Sequence, residues 1–224
     1  MTMQQFKNRT EAGCLLASRL REYGNRCDVL VLGLPRGGVP VAYEIARSLH
    51  LPLDVCLVRK LGVPAHKELA MGAIGQGNAM TLNKDIIADW RVSPLDFETV
   101  LAEEKQELQR RYHLYCQGRS PLNLQDKIVI LVDDGVATGS TLFAAIEVMR
   151  SHQPKAIVVA VPLAPPATCQ KLKEQVSKVI CLVQPKRLSA ISFWYEDFSQ
   201  TSDEEVQELL SKSQRELSSL SDLN

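Results

Sequence analysis

Apolar residues gather in five short runs: "CDVLVLGL" (27–34), "LPLDVCLVRK" (51–60), "KIVILVDD" (127–134), "KAIVVAVPLA" (155–164) and "KVICLVQP" (178–185). Each is too short for a helix and is bounded by turn residues, which predicts a buried strand. Between the runs the spacing becomes helical. Leu15, Leu16 and Leu20 give one apolar face to a helix over about 10–23. Ala42, Ile45, Ala46 and Leu49 do the same within "VPVAYEIARSLH". Phe97, Val100, Leu101, Leu108, Tyr112 and Tyr115 stripe a long helix over 94–117, where Glu107 precedes Arg111 by one turn. "STLFAAIEVMRSH" and "PPATCQKLKEQV" predict two more helices, the second opened by proline. Ser202 and Glu205 suit a capping box for a closing helix that carries Val206, Leu209 and Leu210.

Strand, helix, strand in this rhythm implies right-handed βαβ crossovers and a parallel sheet. The glycine-spotted stretch 61–83 interrupts the rhythm. Its middle and end predict a hairpin turning at Gly75–Asn78. The expected fold is α/β: a central, mainly parallel five-stranded sheet flanked by helices, as one domain over 1–224. The hairpin and long helix form an insertion at about 60–120, and a last segment with its helix covers about 185–221.

Composition narrows the function. The chain has 224 residues, 45% of them hydrophobic, with 26 Lys+Arg against 26 Asp+Glu. That balance argues against a generic nucleic-acid or membrane-surface binder. No apolar run approaches the roughly 20 residues of a membrane span. "MTMQQFKNRTEAGC" lacks the basic start and apolar core of a secretory leader, so a cytoplasmic location is expected. The cysteines at 14, 27, 56, 116, 169 and 181 include no C-x-x-C pair, and Cys27, Cys56 and Cys181, in or beside apolar runs, read as reduced, buried thiols.

The chemistry concentrates where strands end. In an open parallel sheet, ligands bind at the carboxyl ends of the strands. "LPRGG", "RKLG" and "DDGVATGST" are all expected there. In the last, Gly135 and Gly139 permit tight turns, Thr138, Ser140 and Thr141 offer hydroxyls, and a helix start near Ser140 supplies free N–H groups. That combination suits a phosphate. It is not a P-loop, since there is no G-x-x-x-x-G-K-[ST] and no lysine in the loop. Asp133 and Asp134 just before the cradle would repel a phosphate unless something lies between. A ribose ring does, its hydroxyls donating to the carboxylates while its 5′-phosphate reaches the loop. Singly, either acid reads as a turn cap or a satisfied strand-end residue.

"VILVDDGVATGST" resembles the phosphoribosyl pyrophosphate (PRPP) signature of type I phosphoribosyltransferases, and the resemblance runs from "VLVLGLPRGG" to "FWYEDF". It implies that Asp133 and Asp134 hold the ribose hydroxyls. The 5′-phosphate would lie on Gly135, Val136, Ala137, Thr138, Gly139, Ser140 and Thr141, chiefly the last five. "LPRGG" is similar to the family's pyrophosphate loop, with a cis Pro35–Arg36 bond and with Arg36, Gly37 and Gly38 facing the pyrophosphate. "VRKLGVP" is similar to the stretch opening the flexible loop of adenine phosphoribosyltransferases and brings Arg59 and Lys60. The segment to about Gly77 would be the hood, with Glu68 a candidate acid or base. Catalytic candidates are thus Arg36, Lys60, Asp134 and Glu68.

Trp194 is a candidate for stacking on the acceptor, with a plain core cluster as the equal alternative. Asp133, Asp134 and Asp197 are candidate metal contacts, with Mg²⁺ arriving largely on PRPP. The implied reaction transfers 5-phosphoribosyl from PRPP to a nitrogen of a base or amine and releases pyrophosphate. Small-molecule substrates and a homodimer follow by analogy; nucleic acid and membrane do not. A non-catalytic PRPP-binding regulator and a PRPP or phosphosugar hydrolase stand as alternatives. Relatives acting on 6-oxopurines carry an aspartate where this chain has Ala137, so hypoxanthine and guanine are expected to be poor acceptors.

Overall fold

The computed structural model describes residues 5–116 and 123–221. In chain order the elements are α1 (Arg9–Arg19), β1 (Val29–Gly33), α2 (Gly38–Leu49), β2 (Leu53–Val55), β3 (Val58–Val63), β4 (His66–Gly75), β5 (Met80–Leu82), α3 (Lys84–Asp89) and α4 (Pro94–Cys116). They continue with β6 (Ile128–Val132), α5 (Ser140–Ser151), β7 (Ala156–Leu163), α6 (Pro166–Lys173), β8 (Lys178–Val183) and α7 (Asp203–Ser221). Two compact units result. Among the described residues, one comprises those of 5–56, 124–139 and 154–221, the other those of 57–116, 123 and 140–153.

The first unit is built on a five-stranded, fully parallel sheet in the order β2-β1-β6-β7-β8. Every residue of β1 and β6 is buried. That is why these runs read as continuously apolar rather than alternating. The chain moves outward from β1 to β2 on one side and from β6 to β7 and β8 on the other. β1 and β6 therefore lie side by side where the order reverses, the place where an open α/β sheet forms its ligand crevice. Their register is level: Val29 pairs with Ile128 and Gly33 with Val132. The loops after Gly33 and Val132 leave the sheet at one height, and the Leu34 N–H donates to the Val132 carbonyl at 2.9 Å.

The second unit carries an antiparallel sheet, β3-β4-β5, over a core of Leu61, Val63, Met71, Ile74 and Leu101. Phe97, Val100 and Leu108 of α4 pack against that core, which accounts for most of the α4 stripe. β4 and β5 pair across the short turn at Gln76–Asn78, as the sequence predicts.

The apolar run 51–60 does not form one strand. Cys56 N–H still donates to the Gly33 carbonyl at 2.9 Å, but Val58 pairs antiparallel with Gly75, so the chain changes sheets at 56–57. An unbroken apolar run hides such a break, because both sheets bury the same residue types. The first helix stops at Arg19 and is followed by a 3₁₀ turn at Arg21–Tyr23. The short α3, capped by Asn83 accepting from the Ile86 N–H, is additional to the expected elements. The closing helix has half of its capping box, with Ser202 Oγ accepting from the Glu205 N–H at 3.1 Å. All six cysteines are free thiols; Cys56 is buried as expected, Cys181 is half-buried and Cys27 is exposed, contrary to expectation, while Cys116 and Cys169 are buried and Cys14 is exposed. Among the described residues, no helix is long and apolar enough to cross a membrane.

Candidate functional site

Gly33 ends β1, and the chain turns through Leu34-Pro35-Arg36-Gly37 into α2. The Pro35–Arg36 bond is cis, as expected. Gly38 and Val39 N–H groups donate back to the Leu34 and Arg36 carbonyls at 3.0 and 3.1 Å. The two glycines of this loop lie against the two acids after β6. A β-carbon on Gly37 would sit 2.0 Å from Asp134 Oδ2. One on Gly38 would lie 2.7 Å from the Val132 carbonyl oxygen and 2.9 Å from the Asp133 Cα. Neither position admits a side chain in this arrangement, so the level register of β1 and β6 makes "GG" and "DD" one packed feature.

Asp133 Oδ1 accepts from the Asp134 N–H at 2.9 Å. Burial pushes the Asp133 carboxyl well above the ordinary carboxylate range, and the neighbouring charge of Asp134 adds to the rise. Burial also raises Asp134, but here a cation opposes it. Arg9, in the first turn of α1, places Nε and Nη2 each 2.8 Å from Asp134 Oδ2. Its Nη1 donates to the Ser199 carbonyl at 2.7 Å, and its guanidinium lies 4.0 Å from the centre of the Phe198 ring. Tyr195 completes the surround, its hydroxyl donating to the Asp134 backbone carbonyl at 2.6 Å.

The segment that follows is held from behind. The Val136 N–H donates to the Leu163 carbonyl at 2.9 Å, and Thr168 Oγ1 donates to the Ala137 carbonyl at 3.1 Å. A β-carbon on Gly135 would meet Ile191 at 2.6 Å. Ala137 and Thr138 are left exposed. Gly139 takes φ of 82°, a conformation side chains rarely adopt, and Ser140 and Thr141 open α5 directly after it.

The remaining candidates are placed as follows. Arg36 Nη1 lies 3.8 Å from Asp203 Oδ1, at the start of α7. In the second unit "RKLG" is not a loop at a strand end but part of β3. Residues adjacent in a strand face opposite sides. Accordingly Arg59 Nε donates to Glu104 on α4 at 2.5 Å, while Lys60 Nζ reaches the Glu68 carbonyl at 3.2 Å and its carboxylate at 3.5 Å. Glu68 itself is almost fully exposed. Trp194 packs at the edge of a cluster of Phe6, Ala12, Leu163 and Tyr195, which favours the core alternative over acceptor stacking.

Asp197 is exposed, accepts from the Ser199 N–H at 2.9 Å and is lowered chiefly by that bond. Among the described residues no group of three His, Cys, Asp or Glu side chains could hold a metal ion. Asp134 Oδ2 is engaged by Arg9 and Asp133 Oδ1 by a backbone N–H.

Sequence reasoning misses Arg9, Tyr195 and Thr168. Arg9 carries no local motif, and its partner stands 125 residues away. Tyr195 has a signal, the aromatic cluster "FWYEDF", but the sequence cannot say which ring turns toward the acids.

The family model for the phosphoribosyl transferase domain matches residues 5–196. The chain belongs to that family. It is 42% identical over 214 residues to Mycobacterium tuberculosis proteins, from strains CDC 1551 and H37Rv, named as candidate phosphoribosyl transferases. That match covers 96% of this chain and 48% of theirs, so the chain spans about half the length of these curated relatives. Among solved structures it is similar to TT1426 of Thermus thermophilus, at 39% identity and a TM-score of 0.83, covering 93% of this chain and 98% of that one.

Proposed function

We propose that this chain transfers 5-phosphoribosyl from PRPP to a nitrogen acceptor, a base or an amine, with release of pyrophosphate. The observation that carries the reading is the packing of Gly37 and Gly38 against Asp134 and Asp133, beside an exposed turn at Ala137–Thr138. Two largely buried carboxylates raised by desolvation are costly to the fold, and such a cost points to a ligand that uses them. The ribose hydroxyls donate to the acids. The 5′-phosphate lies on the loop from Gly135 to Thr141, and the pyrophosphate on Arg36 and the Gly37 amide, the Gly38 N–H being taken by the Leu34 carbonyl.

In the transfer the C1–O bond to pyrophosphate breaks and a C1–N bond to the acceptor forms, through a transition state with oxocarbenium character. Negative charge grows on the departing pyrophosphate. Arg36 and the Gly37 backbone N–H are suited to stabilise it. Arg36 would leave Asp203 to do so, a small loss because that pair is long and partly exposed. Mg²⁺ enters with PRPP as part of the substrate, since it keeps several waters and binds phosphate oxygens readily.

The test is titration of the protein with Mg²⁺-PRPP by calorimetry, then a screen of bases and amines read by mass. Saturable PRPP binding and a phosphoribosylated product with stoichiometric pyrophosphate support the reading. Binding without product from any acceptor would turn it toward a regulatory protein, and ribose 5-phosphate alone as product toward a hydrolase.

A further inference from the structure

Resting on the PRPP reading above, we infer that Arg9 is a positioning residue for the ribose site, a built-in cation that orients Asp134. Three independent contacts fix the guanidinium. It places two nitrogens 2.8 Å from a single carboxylate oxygen, donates to the Ser199 carbonyl at 2.7 Å and stacks 4.0 Å over Phe198. Both partners of the pair are largely buried, with 12% and 13% side-chain exposure. A surface ion pair would fluctuate; this one is enclosed and geometrically over-determined.

The arrangement divides the labour of the Asp134 side chain. Oδ2 is taken by Arg9 and lies under Gly37, so it has no room for a sugar. Oδ1 is the oxygen Arg9 does not take, and the pairing fixes the rotation of the carboxylate that aims it. Tyr195 holds the backbone of the same residue through its carbonyl. Asp134 is thus held at both ends, by α1 and by the segment 195–199.

That segment is "YEDFS", the end of the motif whose role acceptor stacking does not explain. Its residues serve the acid instead: Tyr195 binds the carbonyl, Phe198 carries the guanidinium and Ser199 accepts from it. The N-terminal segment supports the same assembly. Phe6 bridges to Tyr195, with Phe6 N–H donating to the Trp194 carbonyl at 2.9 Å and Glu196 N–H to the Phe6 carbonyl at 2.8 Å. Arg9 follows three residues later, so its place is set before its side chain is considered. The guanidinium also halves the formal charge of the acidic pair, lowering the repulsion that a diphosphorylated sugar would meet there.

The experiment compares three ligands on the whole chain by calorimetry: PRPP with Mg²⁺, ribose 5-phosphate, and inorganic pyrophosphate with Mg²⁺. Arg9→Gln is expected to weaken PRPP and ribose 5-phosphate by about tenfold or more, the size of one lost charge-assisted contact. Inorganic pyrophosphate, which has no hydroxyls for Asp134, keeps its affinity within about twofold by the same arithmetic. Arg9→Lys keeps the cation and is expected to recover part of the loss. Equal losses for all three ligands would show that Arg9 only supports the fold and would overturn the proposal. Unchanged ribose 5-phosphate affinity in a folded Arg9→Gln variant would overturn it too. A wild-type chain that binds neither PRPP nor ribose 5-phosphate would instead refute the PRPP reading on which it rests.

Discussion

A β-carbon on Gly37 would lie 2.0 Å from Oδ2 of Asp134, the same oxygen that Arg9 grips. Because that carboxylate is clamped, it cannot swing aside at little cost. Gly37→Ala is therefore expected to destabilise the protein by about 1–3 kcal/mol, the usual range for an overpacked site. It should also lower PRPP affinity, since the relief is a displaced Asp134. Thermal unfolding and calorimetry on the same sample check both; an unperturbed melting temperature with full PRPP affinity would contradict the packing described.

Replacing both acids, Asp133→Asn with Asp134→Asn, should leave the fold intact and weaken PRPP binding. Each lost charge-assisted hydrogen bond is worth about 1.5–3 kcal/mol. Unchanged PRPP affinity in the folded double variant would remove the ribose assignment.

The single variant Asp133→Asn should be more stable than the wild type at neutral pH. Burial and Asp134 raise the Asp133 carboxyl above its unfolded value. A raised carboxyl means the folded state binds more protons than the unfolded one between the ordinary value, about 3.9, and the raised one. Over that window stability from this group falls as pH rises, so at neutral pH the buried carboxyl is a liability. Asparagine removes it, and a gain of about 1 kcal/mol fits the usual trade of stability against function. Denaturant unfolding at several pH values tests this; the wild-type disadvantage should shrink as pH falls through the window. A variant less stable at pH 7 and indifferent to acid would contradict the sign.

Thr168→Val removes the hydroxyl that donates to the Ala137 carbonyl at 3.1 Å from α6. The turn at Ala137–Thr138 should loosen while the acids stay in place. The expected cost is about 1 kcal/mol in stability, the net worth of one hydrogen bond. Ribose 5-phosphate affinity should fall while that of inorganic pyrophosphate does not. A fall in both, or in neither, would detach Thr168 from the phosphate loop.

Ala137 is exposed and offers no group able to exchange a proton with a base. Hypoxanthine and guanine should accordingly rank low in an acceptor screen, because sites built around a polar partner discriminate by about 10⁴–10⁵. Finding either as the fastest acceptor would invalidate the argument from this residue.

The parallel sheet was legible because its signal is local. Val129 to Val132 form an apolar run that can only be a buried strand, and helical spacing sets in beyond the next loop. The placement of the acids, the "PRGG" turn and the loop at 135–139 was legible for the same reason, since each sits within a dozen residues of its strand. What escaped depends on distance. Nothing near Arg9 announces an aspartate 125 positions away. The break at 56–57 escaped because Leu57 and Val58 are as buried in their new surroundings as Val55 is in the sheet it leaves. The side-chain directions of Arg59 and Lys60 followed from that break. In a loop the two would be free to share a target; in β3 they diverge toward Glu104 and Glu68.

The clasp of Phe6 on Tyr195 and of Arg9 on Ser199 joins residues about 190 positions apart. A growing polypeptide therefore carries Arg9 long before it has any means of seating it. Asp134 arrives 125 residues after Arg9, and the aromatic and carbonyl partners arrive some 60 residues later still. Until then the two carboxylates stand together without their counter-cation. The surround of Asp134 closes only after the sheet beneath it is complete, and a nascent chain cut short before Phe198 would hold the two acids without their alignment.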